Sequence, residues 1–287
     1  DELRAVAAAL AAGDANVIST GIGGVGKTSL AIEAAWRYGP HFLGGVFWVN
    51  CADPKTVPSE IAQCGGPGGL RLAGMAGLSL QDQVRLVRAE WARETPRLLI
   101  FDNCEDPALL HEYRPQGGGC RVLVTSRNAL WPPTLRAATL ALDVLPLDAS
   151  VALLQALCAR LTNDEAAQVA EALGRLPLAL HLAGSFLQRY RTPVQKYLEA
   201  LRSPTLLEHA SLTGRGVQER PSGREMHVAK AFALSLDQLV GDDPIDAAAR
   251  ALLARAACLA PGEPFPQELL EETLSVDEGD DEAAMTR

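Results

Sequence analysis

The sequence predicts an α/β fold with a parallel sheet, followed by a helical region, and three observations support this prediction. Short apolar segments of strand length recur in the first half of the chain, at residues 17–20, 45–50, 98–102, 121–125 and 139–142. Helical stretches or loops separate most of these segments. The strand pattern then stops after Leu147 and only helical patterns follow. Alternating strands and helices indicate a parallel sheet covered by helices on both faces.

The second half of the chain is predicted to contain a small helical domain and a further unit. Helical periodicity appears at residues 148–158, 164–173, 178–190 and 193–201, and again at 229–239 and 245–259. Between these two groups the sequence is polar, rich in glycine and arginine, and without a period. We predict a sheet domain at 1–146, a helical domain at 147–207, a linker or mobile loop at 208–226, and a third unit with an acidic tail at 227–287.

The composition is that of a folded protein whose main partner is not a polyanion. The chain has 287 residues, with 26 basic and 35 acidic side chains and a net charge of −9. This charge disfavours binding held mainly by phosphate backbones or acidic membranes, so we expect no nucleic-acid and no membrane partner for this segment. The 6 cysteines and 5 histidines lack the spacing of zinc sites.

The sequence also bears on where the protein works. No apolar run approaches the roughly 18 residues of a membrane helix, and the start of the chain has no signal-peptide pattern. We therefore expect a cytoplasmic protein. Because the first residue is Asp1 and the chain opens inside a helical pattern, we expect it to be a segment of a longer protein.

A glycine-rich loop directly after the first predicted strand carries the clearest chemistry. Residues 21–28, GIGGVGKT, match the pattern G-x-x-x-x-G-K-[ST], and a helical run at 29–36 follows them. The glycines allow successive backbone N–H groups to point at phosphate oxygens at the start of a helix. Lys27 would then reach the β- and γ-phosphates, and Thr28 would offer its hydroxyl to Mg²⁺. A chance glycine-rich turn is the alternative, but the order of strand, loop and helix favours nucleotide binding.

Two later strands end in side chains that suit a phosphate and metal site. Asp102 ends the strand LLIFD, a position from which a carboxylate can reach the Mg²⁺ shell; a simple strand-end acid is the alternative. Asn103 follows, where many hydrolases of this type have a catalytic acid, which leaves Glu105 or Asp106 as substitutes. Arg127 follows the next strand and could bind the γ-phosphate, unless it is an ordinary surface arginine.

The nucleotide base is predicted by exclusion. The sequence has no N-K-x-D motif, and the residues that follow Asp102 lack the glycine of D-x-x-G, so nothing supports guanine binding. The L-S-G-G-Q motif of transporter ATPases is also absent. These absences favour adenine, so we expect ATP or ADP as the cofactor, together with the Mg²⁺ that Thr28 and Asp102 would bind.

The order of four motifs resembles the NB-ARC branch of the STAND-class ATPases. After the glycine loop come LLIFDN, RVLVTSR and GRLPLAL at 174–180, the last of which is similar to the GLPLAL signature of that family. The resemblance covers roughly residues 1–275 and implies a P-loop NTPase domain, a helical domain and the start of a winged-helix domain. It implies that Lys27, Asp102 and Arg127 are catalytic, that Thr28 and Asp102 bind the metal, and that the nucleotide contacts Gly21, Gly23, Gly24, Val25, Gly26, Lys27, Thr28, Ser29, Arg127 and Pro177.

The same resemblance implies a function. Such proteins are signalling switches that hold ADP in a closed state, open and form oligomers with ATP, and hydrolyse it slowly. Bacterial members usually continue into helical repeats that sense a signal, so we expect an unknown partner outside this segment. Pro177 would pack near the adenine, although proline is also common at the first position of a helix. Two alternatives stay open: a work- or transfer-type P-loop ATPase, and the nucleotide-binding part of a DNA-binding transcription regulator.

Overall fold

The computed structural model of the protein describes residues 1–12, 16–203, 225–239 and 243–258. Its contacts divide the chain into two units, Asp1–Asp143 and Val144–Arg287, here named the sheet unit and the helical unit. The predicted linker at 208–226 falls almost wholly outside the described residues, and so does the acidic tail. The division into a separate helical domain and a third unit therefore stays a prediction.

The sheet unit contains the predicted parallel sheet. Its strands are Asn16–Thr20 (β1), Val46–Asn50 (β2), Arg97–Asp102 (β3), Cys120–Ser126 (β4) and Ala137–Ala141 (β5). All pairings are parallel, and the order across the sheet is β2-β3-β4-β1-β5. The predicted α/β fold class is confirmed. Because β4 lies between β1 and β3, the residues that leave β4 are next to both the glycine loop strand and the Asp102 strand.

Helices cover both faces of this sheet. They are Glu2–Ala11 (α1), Lys27–Tyr38 (α2), Val57–Cys64 (α3), Leu80–Trp91 (α4) and Pro107–Tyr113 (α5). Successive strand side chains point to opposite faces, so Leu98 and Ile100 pack in one core cluster with residues of α1 and α2. Leu99 and Phe101 pack in the other, with residues of α3, α4 and α5. Burial on both faces explains why these strands are apolar without alternation.

The helices α3 and α5 were not predicted from the sequence. They have 8 and 7 residues, and each begins with a proline in its first turn. Helices of two turns are too short to display a 3.6-residue period clearly. The α5 helix matters for the site because its N-cap is Asp106, four residues after Asp102 on the same connection.

The helical unit contains helices alone in its described residues. They are Leu147–Leu157 (α6), Asn163–Ala172 (α7), Pro177–Tyr190 (α8), Val194–Arg202 (α9), Glu225–Leu236 (α10) and Pro244–Ala256 (α11). The α6 and α8 helices approach closely at Gly184, where a Cβ atom would lie 2.7 Å from the Leu157 Cβ. A capping box between Thr162 and Glu165 fixes the start of α7. In the described residues, no helix combines the length and apolar character needed to cross a membrane.

Candidate nucleotide-binding site

The glycine loop connects β1 to α2 as predicted and has the backbone geometry that only glycine adopts readily. Gly24 and Gly26 have φ angles of +74° and +102°, and Gly26 is the N-cap of α2. At Gly21 the constraint is space, because a Cβ atom would lie 2.8 Å from the Leu142 carbonyl oxygen. Gly23 and the buried Val25 complete the loop. The glycine loop thus leads directly into the first turn of α2, and the start of a helix is a place where backbone N–H groups can bind phosphate oxygens.

Gly26 allows a direct test of this geometry. We expect Gly26→Ala to lower the free energy of unfolding by about 1–2 kcal/mol, because an L-residue is strained at a φ of +102° although nothing lies within 4 Å of the added Cβ. The measurement is the midpoint of urea unfolding. Gly68→Ala is the matched control, since that glycine also has open space but no positive φ. Equal midpoints for the two variants would show that the loop geometry is relaxed.

Lys27 and its neighbours occupy the first turn of α2. The Lys27 side chain is only 8% exposed, and its Nζ donates hydrogen bonds to the Gly21 and Ile22 carbonyl oxygens at 2.7 and 2.9 Å. The ammonium group therefore contacts the beginning of the glycine loop, while the Lys27 backbone lies at the end of that loop. Ser29 is the third residue of the same helix. These two hydrogen bonds keep the Lys27 ammonium group at the glycine loop.

Thr28 and Asp102 are brought together although a whole strand separates their elements. The Thr28 hydroxyl donates to Asp102 Oδ1 at 3.0 Å, and the Thr125 hydroxyl at the end of β4 donates to the same oxygen. Asp102 is only 6% exposed. A threonine hydroxyl and one carboxylate suit Mg²⁺, which takes one or two carboxylates and completes its shell with water and phosphate oxygens. In the part of the chain that the structure describes, no group of three or more acidic, histidine or cysteine side chains could hold a metal ion by itself.

Asn103, which replaces the expected acid, points a donor at Asp102. Its backbone N–H donates to Thr125 Oγ1 at 2.9 Å, and its side-chain Nδ2 lies 3.4 Å from Asp102 Oδ2. The residue has a φ of +55°, a conformation that asparagine tolerates better than most residues. An amide cannot accept the proton of an attacking water. Asn103 therefore holds the end of β3 in place and cannot act as a general base.

The two proposed substitutes for that acid both have structural partners. Asp106 accepts a hydrogen bond from the Ala108 N–H at 2.8 Å and caps α5. The Glu105 carboxylate accepts hydrogen bonds from Ser126, Arg127 and Asn128, which follow or end β4. Burial raises the pKa of Glu105, but the combined effect of these hydrogen bonds is larger and opposite. The net shift of the Glu105 pKa is therefore downward. Sequence reasoning identified Glu105 only as a possible base and missed these contacts.

Arg127 leaves the carboxyl end of β4, at the edge of the sheet that also carries the glycine loop. Its Nε lies 3.3 Å from Glu105 Oε1, and its side chain is 65% exposed. Pro177 belongs to the helical unit, where it is the first residue of α8, after the turn formed by Gly174 and Arg175. Its predicted contact with adenine stays a prediction.

The chain is similar to named regulatory proteins over most of its length. It is 31% identical to the regulatory protein AfsR of Streptomyces griseus over 254 residues, which span 81% of this chain and 25% of that protein. Against the regulatory protein AfsR of Streptomyces coelicolor it is 32% identical over 203 residues, 67% of this chain and 20% of that protein. A nucleotide-binding leucine-rich repeat (NLR)-like protein of Hyaloscypha variabilis is 26% identical over 72% of this chain and 23% of its own length. The chain spans about a quarter of the length of these curated relatives.

Two solved structures of ATPases align with most of this chain at low sequence identity. A Walker-type ATPase of Pyrococcus abyssi has a TM-score of 0.48 at 15% identity, with 82% of this chain and 87% of that chain covered. A STAND protein with a tetratricopeptide repeat sensor from Pyrococcus horikoshii has a TM-score of 0.45 at 15% identity, with 90% and 45% covered. No family model matches the chain.

The sequence similarity and the site geometry agree on the family. The two AfsR relatives are 31% and 32% identical to this chain over 81% and 67% of its length. In this chain the Lys27 ammonium group contacts the glycine loop, and the Thr28 hydroxyl contacts Asp102. The chain belongs to the STAND class of P-loop ATPases.

Proposed function

We propose that this chain is the nucleotide-operated switch of a longer signalling or regulatory protein. The observation that carries the proposal is the contact between Thr28 and Asp102 beside a glycine loop covered by Lys27. This arrangement provides phosphate binding, a countercharge and a pair of magnesium ligands at one edge of one sheet. The names of its relatives, a regulatory protein and an NLR-like protein, support a regulatory use of the nucleotide.

Each group has a defined task in the bound state. The backbone N–H groups at the start of α2 bind phosphate oxygens, and Lys27 moves from the Gly21 and Ile22 carbonyls to the β- and γ-phosphates. Thr28 and Asp102 would hold Mg²⁺, which would supply positive charge that neutralises the phosphates. Arg127, at the end of β4, binds the γ-phosphate and so distinguishes ATP from ADP.

The residues around Asp102 support slow hydrolysis, as a switch requires. Asn103 presents an amide, and Asp106 is committed to a helix cap. The carboxylate oxygens of Glu105 already accept several hydrogen bonds, and its lowered pKa makes it a weak base. Without a well-placed base, the bound ATP would persist long enough to report a signal.

The two nucleotide states would differ in conformation. We propose a closed state with ADP and an open, oligomeric state with ATP, set by the difference in ATP affinity between the two conformations. Segments of the longer protein outside this chain would sense the signal and a partner. The alternative in which the chain is the nucleotide-binding part of a DNA-binding regulator stays a prediction from the sequence. The net charge of −9 then assigns DNA contact to other parts of that protein.

Arg127→Ala tests whether this side chain reads the γ-phosphate. We expect ATP affinity to fall about 10-fold while ADP affinity changes less than about 2-fold, since a charge-assisted hydrogen bond contributes about 1.5–3 kcal/mol. Isothermal titration with each nucleotide and Mg²⁺ measures both. Arg85→Ala is the control, because Arg85 is an exposed arginine that pairs with Asp82 on α4, away from the loop. Equal losses for ATP and ADP would contradict the assignment.

A further inference from the structure

The Glu105 carboxylate accepts hydrogen bonds from each of residues 126–128, here named the β4 segment. Its Oε2 accepts from the Ser126 hydroxyl and the Asn128 N–H, both at 2.9 Å, and its Oε1 accepts from the Arg127 N–H at 3.0 Å. The Asn128 side chain in turn donates to the Glu105 carbonyl oxygen at 3.2 Å. A side chain that follows β3 thereby fixes three consecutive residues at the end of β4.

The neighbouring contact between Asp102 and Thr125 fixes the same segment one residue earlier. Thr125 donates to Asp102, and its hydroxyl oxygen accepts the Asn103 N–H. The backbone on either side of Ser126 is therefore tied to the β3 connection at two points. The position of the Arg127 backbone is therefore set by the residues that directly follow Asp102, the proposed magnesium ligand.

Glu105 accepts short hydrogen bonds from backbone N–H groups and a longer one from the Arg127 side chain. The bonds from the Arg127 and Asn128 N–H groups satisfy backbone donors beyond the end of a strand, where no ladder partner is available. The bond from Arg127 Nε is longer, at 3.3 Å, and joins side chains that are 65% and 38% exposed. Exposed ion pairs contribute little to stability. The guanidinium group can therefore leave the carboxylate while the backbone bonds stay in place.

We propose that Glu105 is the positioning residue that makes Arg127 selective for the γ-phosphate. It holds the Arg127 backbone at the sheet edge and pairs with the guanidinium group when no γ-phosphate is present. When ATP binds, the guanidinium exchanges this carboxylate for the γ-phosphate, and with ADP it stays on Glu105. The inference rests on the proposed function, in which Arg127 reads the γ-phosphate.

The lowered pKa of Glu105 agrees with this role, because the carboxylate keeps its charge at neutral pH. The role also differs from general-base catalysis, since it needs the carboxylate to remain bonded to the β4 segment throughout. A base would have to release those bonds to reach a water molecule.

The test is Glu105→Gln, compared with Arg127→Ala and the double variant. Glutamine keeps the size of the side chain but replaces one acceptor oxygen with an NH₂ donor. The variant therefore loses the negative charge and some of the hydrogen bonds from the β4 segment. We expect ATP affinity to fall about 5- to 10-fold and ADP affinity to change less than about 2-fold. In the Arg127→Ala background, Glu105→Gln should have no further effect on the ratio of the two affinities.

Glu33→Gln is the matched control, because Glu33 also pairs with an arginine, Arg37, on an exposed surface. Titrations with ATP and ADP in the presence of Mg²⁺ give the ratio for each variant. If Arg127→Ala leaves the ratio unchanged, γ-phosphate reading by Arg127 fails and the inference fails with it. If Arg127→Ala changes the ratio and Glu105→Gln does not, the inference alone is overturned. The inference alone is also overturned if Glu105→Gln changes the ratio of ATP to ADP affinity by the same factor in the Arg127→Ala background as in the unchanged protein.

A second measurement on the unchanged protein keeps the test valid if Glu105→Gln does not fold. Hydrogen exchange of the Arg127 and Asn128 N–H groups reports whether the carboxylate still holds them. We expect equal protection of these amides with ADP and with a slowly hydrolysed ATP analogue. Loss of protection with the analogue alone would mean that ATP binding breaks the hydrogen bonds from these N–H groups to Glu105, which contradicts a fixed positioning role.

Discussion

Replacing Lys27 with alanine is expected to lower the affinity for ATP at least about 100-fold, which corresponds to about 2.7 kcal/mol. The side chain is buried, and its ammonium group contributes a positive charge beside the loop that is predicted to bind phosphate. Its removal deletes charge-assisted hydrogen bonds to phosphate, each of which contributes about 1.5–3 kcal/mol. Titration calorimetry with Mg²⁺ and ATP measures the loss.

The matched control for this variant is Lys196→Ala, since Lys196 lies exposed on α9 in the helical unit. It removes the same charge from the chain and changes no residue of the glycine loop. Circular dichroism of both variants should show an unchanged helix content. ATP affinity that is equal in Lys27→Ala and Lys196→Ala would remove the glycine loop from the nucleotide site.

Asp102→Asn is expected to abolish most of the effect of Mg²⁺ on ATP affinity. The asparagine oxygen can still accept the bonds from Thr28 and Thr125, so the local structure should be kept. The variant lacks the carboxylate charge that Mg²⁺ requires in its shell. We expect ATP affinity to rise about 10-fold or more with Mg²⁺ in the unchanged protein and less than about 2-fold in the variant.

The measurement is a pair of ATP titrations, one with Mg²⁺ and one with a chelator. Asp164→Asn serves as the control, because Asp164 is an exposed acid in the first turn of α7. An Asp102→Asn variant with the full response to Mg²⁺ would show that Asp102 only organises Thr28 and Thr125. In that case another group would have to supply the magnesium ligand.

The parts of the site that follow a strand directly could be predicted from the sequence. Lys27, Asp102 and Arg127 each come after an apolar segment, and the carboxyl ends of parallel strands meet at one edge of a sheet. The glycine loop was recognisable because its φ requirements select glycine at fixed positions. These predictions depend on local sequence alone.

Features that depend on strand order could not be predicted in the same way. The contacts of Thr125 with Asp102, and of Glu105 with the β4 segment, exist because β3 and β4 are neighbours in the sheet. The residues are more than twenty positions apart in the chain, and no periodicity links them. The role of Glu105 in holding Arg127 became visible only when the sheet order placed the two strand ends side by side.

The central claim, that the chain is an adenine-nucleotide switch, is tested most directly by its bound nucleotide. The purified chain is denatured, any released nucleotide is identified by chromatography, and the stripped, refolded chain is titrated with ADP, ATP and GTP in the presence of Mg²⁺. We predict ADP in the released fraction, saturable binding of ADP and ATP, no binding of GTP, and turnover far slower than one ATP per second. A stripped chain that binds GTP as well as ATP, or hydrolyses many ATP molecules per second, would contradict the account.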